Sequence, residues 1–209
     1  MKIIARGPTE FPPHMNRLAL ALVALVALPV AAFADPFSFT ATDTPVTAQQ
    51  PITISSSIVI ASGGSIQDMN VFVNYTANFI GDLVLTLTHV DTGTSVTLVA
   101  NEGGSGNNLT SVTFDDEAAT SIVGGVAPVG PGTFKPEGLL SAFDNQSLSG
   151  TWTLTAVNPV NDGLHSIVSF QLSGIATPEP GTWALFGLGA LGLGAAARRR
   201  RAKSAAAKA

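Results

Sequence analysis

No cysteine occurs in this chain. That absence excludes disulfide staples, thiolate zinc sites, iron–sulfur clusters and cysteine nucleophiles. Positive charge is almost missing from the middle: of ten Lys and Arg residues, Lys135 alone lies between Asp35 and Thr177. Twelve of the fourteen acidic residues fall in that same stretch, which therefore carries a net charge of −11. Such a segment repels nucleic acid and anionic lipid surfaces, and attracts divalent cations or basic partners. Histidine is scarce, with only His89 and His165 in the stretch, and no Gly-x-Ser-x-Gly nucleophile elbow is present. A Ser-His-Asp trio would need residues scattered along the chain, and carboxylate-pair hydrolysis would fall to Asp115, Asp116 or Glu117. Neither pattern is specific, and the expectation is a protein that is not an enzyme.

What is present sits first at the two ends. Arg17 precedes an apolar run from Leu18 to Val30, and Ala32-Phe33-Ala34 follows as a small-x-small cleavage site. These are the three regions of a secretory signal peptide, so residues 1–34 are excluded from the fold and the Sec translocon is implied. Cleavage is expected to read Ala32 and Ala34, and Met15 is a more compact start than Met1. At the other end stand Pro178-Glu179-Pro180, an uncharged stretch from Thr182 to Ala197, and Arg198-Arg199-Arg200-Arg201. Residues 182–197 predict a helix of about 24 Å, short of the roughly 30 Å hydrocarbon core, with the basic side chains snorkelling over part of the deficit. The arginines stay on the cytoplasmic side, which places the middle of the chain outside. Pro178 and Pro180 keep the backbone before the helix extended. By themselves these residues admit an ordinary single-span anchor with a proline hinge, or a tail presented for cutting.

The order of the three parts at 177–209 resembles the PEP-CTERM sorting signal. That resemblance implies export in a Gram-negative bacterium and transient handling by the membrane enzyme exosortase, with a cut near the motif. It also implies an inner-membrane intermediate and a final place at the cell-envelope surface or in the extracellular matrix.

Between the ends the sequence reads as strands. Val71, Val73 and Tyr75 alternate with Phe72 and Asn74; Leu83, Leu85 and Leu87 with Val84 and Thr86; Trp152, Leu154 and Ala156 with Thr153 and Thr155. Val168, Phe170, Leu172 and Gly174 alternate with Ser169, Gln171 and Ser173. A period of two gives each strand one buried face and one wetter face. Turn clusters separate the runs, and Asp91-Thr92-Gly93 predicts a hairpin. No amphipathic helix appears there. The expectation is an all-β, antiparallel jelly-roll β-sandwich over 51–176, preceded by a loose Thr/Pro-rich lead-in at 35–50.

Four blocks in order resemble the P domain of proprotein convertases (P/Homo B). They are Ile80 to Leu87 continuing through Gly93 to Leu98, Phe114 to Ala118, Gly132 to Pro136 with Leu140 to Phe143, and Gly150 to Leu154. The resemblance implies an eight-stranded jelly roll. P domains stabilise an adjoining subtilisin-like protease domain, and no protease domain fits in this length.

Asp82, Asp115, Asp116 and Glu117 at one end of the sandwich are the candidate ligands of a calcium ion, and the alternative for them is a solvated acidic loop. The leading expectation is a non-catalytic module that binds extracellular polysaccharide or a surface protein. The alternatives are an auxiliary module docking on a separate subtilisin-like protease, and a hydrolase using the loop end. Docking on a protease predicts an apolar patch on one sheet face.

Overall fold

The computed structural model describes residues 34–49, 51–125, 129–160, 163–178 and 187–199. Among the described residues, ten strands and a 3₁₀ turn at Leu140–Phe143 lie between residues 35 and 177. In chain order the strands are β1 (Asp35–Thr40), β2 (Val46–Gln49), β3 (Ile52–Ile60), β4 (Ser65–Thr76), β5 (Val84–His89), β6 (Thr94–Ala100), β7 (Leu109–Phe114), β8 (Gly132–Phe134), β9 (Gly150–Asn158) and β10 (Leu164–Thr177). One sheet has six strands in the order β1-β10-β4-β7-β8, with β2 also paired to β10; the other has four, in the order β3-β9-β5-β6. Every pairing is antiparallel except β7 with β8. Both sheets are open and share one core, so the fold is a β-sandwich.

The alternation read in the sequence fills that core. From the six-stranded sheet come Val71, Val73, Tyr75, Phe114, Phe170 and Leu172; from the four-stranded sheet come Ile54, Ile58, Leu85, Leu87, Leu98, Trp152 and Leu154. Each such side chain contributes about 1.5–3 kcal/mol by leaving water, and these contacts take the place of the missing disulfides. Trp152 meets Phe143 edge-on at 5.0 Å, and its indole N–H donates to the Leu148 carbonyl at 3.0 Å. The hairpin at Asp91-Thr92-Gly93 forms as expected, with Gly93 at φ 74 and its N–H on the His89 carbonyl.

Three expectations are corrected. The stretch 35–50 is not a loose lead-in, because β1 and β2 both pair with β10 and extend the six-stranded sheet. Val168 does not face the core; a register shift between Ile167 and Ser169 turns Ile167 inward instead. The single membrane-spanning helix expected over 182–197 is not supported. Helix is described at 187–199, and among the described residues no helix is long and apolar enough to cross a membrane. Its last turn already contains Arg198 and Arg199, which shortens the apolar part. Residues 182–186, the remainder of the expected span, lie outside the described residues, as do 1–33.

Candidate functional site

The start of β1 and the end of β10 meet at one corner of the six-stranded sheet. Asp35, the first residue after the expected signal cleavage, is also the first residue of β1, and it pairs with Ala176 near the end of β10. Pro178 follows immediately. Asp35, Pro36, Phe37, Ala176 and Pro178 line a cleft of about 360 Å³ together with Gly63, Gly64 and Leu148. Gly63 and Gly64 turn the chain from β3 in one sheet into β4 in the other. A Cβ on Gly64 would collide with the Thr177 carbonyl oxygen, so only glycine lets the end of β10 pass. Of the sequence-predicted processing residues, Ala34 is exposed, Pro178 is half-buried, and Arg198 and Arg199 are exposed in the helix. Ala32, Glu179, Pro180, Arg200 and Arg201 lie outside the described residues.

The acidic residues form a different neighbourhood. Asp116 spends both carboxylate oxygens on backbone: Leu140 and Ser141 N–H groups donate to it at 2.9 Å each. It thereby caps the two leading N–H groups of the 3₁₀ turn. Asp115 accepts from the Glu117 N–H at 2.8 Å. A hydrogen bond between the Asp115 and Glu117 side chains holds the Glu117 carboxyl above its usual range, helped by desolvation and by Asp68. Asp144 is pushed up chiefly by desolvation, then by repulsion from Asp68 and Asp116. Asp68 and Asp144 are thus the neighbours of this cluster that the sequence did not single out. They lie far from Asp115 in sequence, on β4 and just after the 3₁₀ turn; the pairing of β4 with β7 brings Asp68 near, and the bonds of the turn to Asp116 and Ile66 bring Asp144 near. Among the described residues no group of three or more His, Cys, Asp or Glu side chains is arranged to hold a metal ion. Asp116 is committed to the backbone, and Asp82 is not among the charges acting on Glu117 or Asp144.

The two described histidines, His89 and His165, are buried and engaged. His89 stacks on Trp152 with centroids 4.2 Å apart and planes within 2°. Its Nδ1 shares a hydrogen bond with the Thr92 hydroxyl at 3.1 Å, and its Nε2 lies 3.2 Å from the Ser149 carbonyl. Asp91 stands 3.9 Å from Nε2, but its oxygen also takes the Thr151 N–H at 2.7 Å. The His165 ring nitrogen meets the Tyr75 hydroxyl at 2.8 Å in the core. These partners pack and hydrogen-bond the rings.

The four-stranded sheet presents a feature that strand alternation hinted at but did not place. None of its strands contains Asp, Glu, Lys or Arg. Its outer face aligns Ser57, Thr153, Thr88 and Ser95 in one row across all four strands, and Ser55, Thr155, Thr86 and Thr97 in the next. Neighbouring hydroxyls bond to each other: Ser55 to Thr155 at 3.1 Å, Ser57 to Thr153 at 3.0 Å and Thr88 to Ser95 at 2.8 Å. Strands lie about 4.8 Å apart and same-face residues about 7 Å apart along each strand, so the hydroxyls form a regular lattice. Each can still accept or donate outward.

Comparison with known proteins gives three findings. The family model for the PEP-CTERM protein-sorting motif matches residues 176–201. No curated protein matches the chain. Among solved structures, the serine protease of Aeromonas sobria aligns with a TM-score of 0.45 and 15% identity, covering 76% of this chain and 30% of that one. A chain in the complex of that A. sobria protease with its chaperone aligns with a TM-score of 0.45 and 16% identity, over 76% and 29%. This chain thus spans less than a third of either of those proteins. Residues 176–201 carry the PEP-CTERM motif, which implies export and transient interaction with an exosortase.

Proposed function

We propose that this chain is a surface or extracellular-matrix protein of a Gram-negative bacterium. Its P-domain-like sandwich is a non-catalytic module that binds neutral extracellular polysaccharide through the four-stranded sheet. The signal peptide at 1–34 takes the chain to the Sec translocon, the tail holds it at the inner membrane, and exosortase cuts it free for the envelope surface. The observation that carries the binding assignment is the uncharged double row of hydroxyls. In a segment of net charge −11, one whole sheet without a formal charge suits a neutral polyhydroxylated partner. Hydroxyl rows exchange hydrogen bonds with sugar hydroxyls, and the threonine methyls cover the sugar C–H faces. An apolar sheet face, which docking on a separate protease calls for, is not what supports this reading: Val59 is the one large apolar side chain well exposed on these strands.

The test is co-sedimentation of the purified chain with an insoluble neutral glucan. The unmodified chain should pellet with the polymer. Thr86→Lys with Thr153→Lys, which puts two charges into the lattice, should weaken retention by about tenfold or more, the effect of leaving one or two polar contacts unmade. Equal retention of both proteins, or no retention of either, would refute the assignment.

A further inference from the structure

We propose that the folded sandwich sets the upstream limit of the sorting cut, through a clamp on Thr177 and Pro178 built by β1, β4 and Gly64. The proposal rests on the sorting reading above and adds what decides where the tail becomes accessible.

β10 does not fray towards its end. Ala176 pairs with Asp35 of β1 on one side and Ile66 of β4 on the other, and Thr177 pairs with Ser65. The Thr177 hydroxyl donates to the Ser65 carbonyl at 3.4 Å. Behind this, Gly64 lies flat against the Thr177–Pro178 peptide with no room for a side chain. Gly64 is itself held: its carbonyl accepts the Leu148 N–H at 2.8 Å, while Ile66 exchanges backbone bonds with Asn145 and Gln146 at 2.8 and 2.9 Å. The clamp is therefore braced by the segment after the 3₁₀ turn. Pro178 ends the ladder because it has no N–H to give, and it holds Thr177 in the extended conformation that the ladder needs.

An enzyme that binds its substrate as an added strand needs unpaired backbone. Through Thr177 that backbone is occupied, and Pro178 is half-buried in the cleft beside Asp35. The peptide bond broken in sorting accordingly lies C-terminal to Pro178. Its acyl carbon passes to water or to an acceptor amine, and the freed amino group leaves with the tail. Gly64 is a positioning residue here; it acts through Thr177 and touches no reacting atom.

The test has two arms. In the first, the purified full chain is digested with proteinase K and the products are weighed by intact-mass spectrometry. Trimming should halt at Pro178 or a few residues beyond it. Gly64→Ala should let trimming pass Thr177 at least about tenfold faster, because proteolysis follows the population of the locally opened form. If that variant fails to fold, a Gly-Ser-Gly-Ser insertion between Thr177 and Pro178 replaces it. Trimming should then halt within the insert, at the edge of the sandwich. Wild-type ends at Thr177 or upstream, or trimming of the insertion variant that halts at the displaced Pro178, would overturn the clamp. In the second arm the same measurement is made on protein recovered from producing cells. Product ends at Pro178 or a few residues beyond it support the proposal, and ends at Thr177 or upstream overturn it. A tail still complete in cells, with the digestion boundary intact, would overturn it through the sorting reading and leave the clamp standing.

Discussion

The two sheets share one core but turn different faces outward. The six-stranded sheet carries Asp35 and Asp68 in its strands, and its outer face mixes Phe72 with Asn70, Asn74 and Gln171. It also holds both chain junctions, since β1 and β10 are neighbours. The four-stranded sheet has no chain end, no formal charge and little but hydroxyls on its outside. The difference teaches a division of labour. Under the proposed function, one sheet holds both ends of the cargo, and the other is left free to meet a partner.

The largest expected effect erases the difference by removing what both sheets rest on. Trp152→Ala deletes a fully buried side chain that contacts His89 and Phe143 and should cost about 3–5 kcal/mol, read as a fall in midpoint by urea melting followed by fluorescence. A loss near zero would mean that the sheets do not share a core as described. Next in size is the effect on sorting. Neutral residues in place of Arg198 to Arg201 should leave the tail uncut and the chain in the membrane fraction, whereas normal processing would detach the basic cluster from the sorting role. A smaller effect separates the faces: Phe72→Ala with Gln171→Lys, on the six-stranded sheet, should leave glucan retention unchanged where Thr86→Lys with Thr153→Lys weakens it about tenfold or more. Stability of either surface variant should stay within about 1 kcal/mol of the parent.

The smallest effect is electrostatic. The folded chain holds the Asp144 carboxyl above its ordinary value of 3.8. A raised folded pKa means that folding favours the protonated form, so the stabilising contribution exists below 3.8 and is lost as pH rises through the folded value. Asp144→Asn should therefore raise the melting temperature at pH 7, and the gain should shrink as pH falls through the raised folded value towards 3.8. A gain that grows on acidification would contradict the sign.

How much of this was legible in the sequence varied with the physics. Alternation found the faces of β4, β5 and β9, because one-sided burial writes itself as a period of two. It failed at Val168, where a bulge consumes one residue, and at 35–50, where short, half-exposed strands bury too little to show a pattern. The tail was legible because three chemically distinct parts stand in order, and its motif is matched over 176–201. The clamp was not, since Gly64 and Thr177 are distant in sequence and meet only through the turn between sheets. The hydroxyl rows were half legible: Thr153 and Thr155 pointed outward from the alternation, but their partners Ser57 and Ser55 needed the register of β3 on β9.

The central claim is that residues 35–177 are a cargo carried between two temporary ends. The most direct measurement is the N- and C-terminal sequence of the protein released by the cells that make it. The account predicts a chain that begins at Asp35 and ends past Pro178 but before Arg198. A cytosolic chain that retains both the segment before Ala34 and the segment after Arg201 would contradict it.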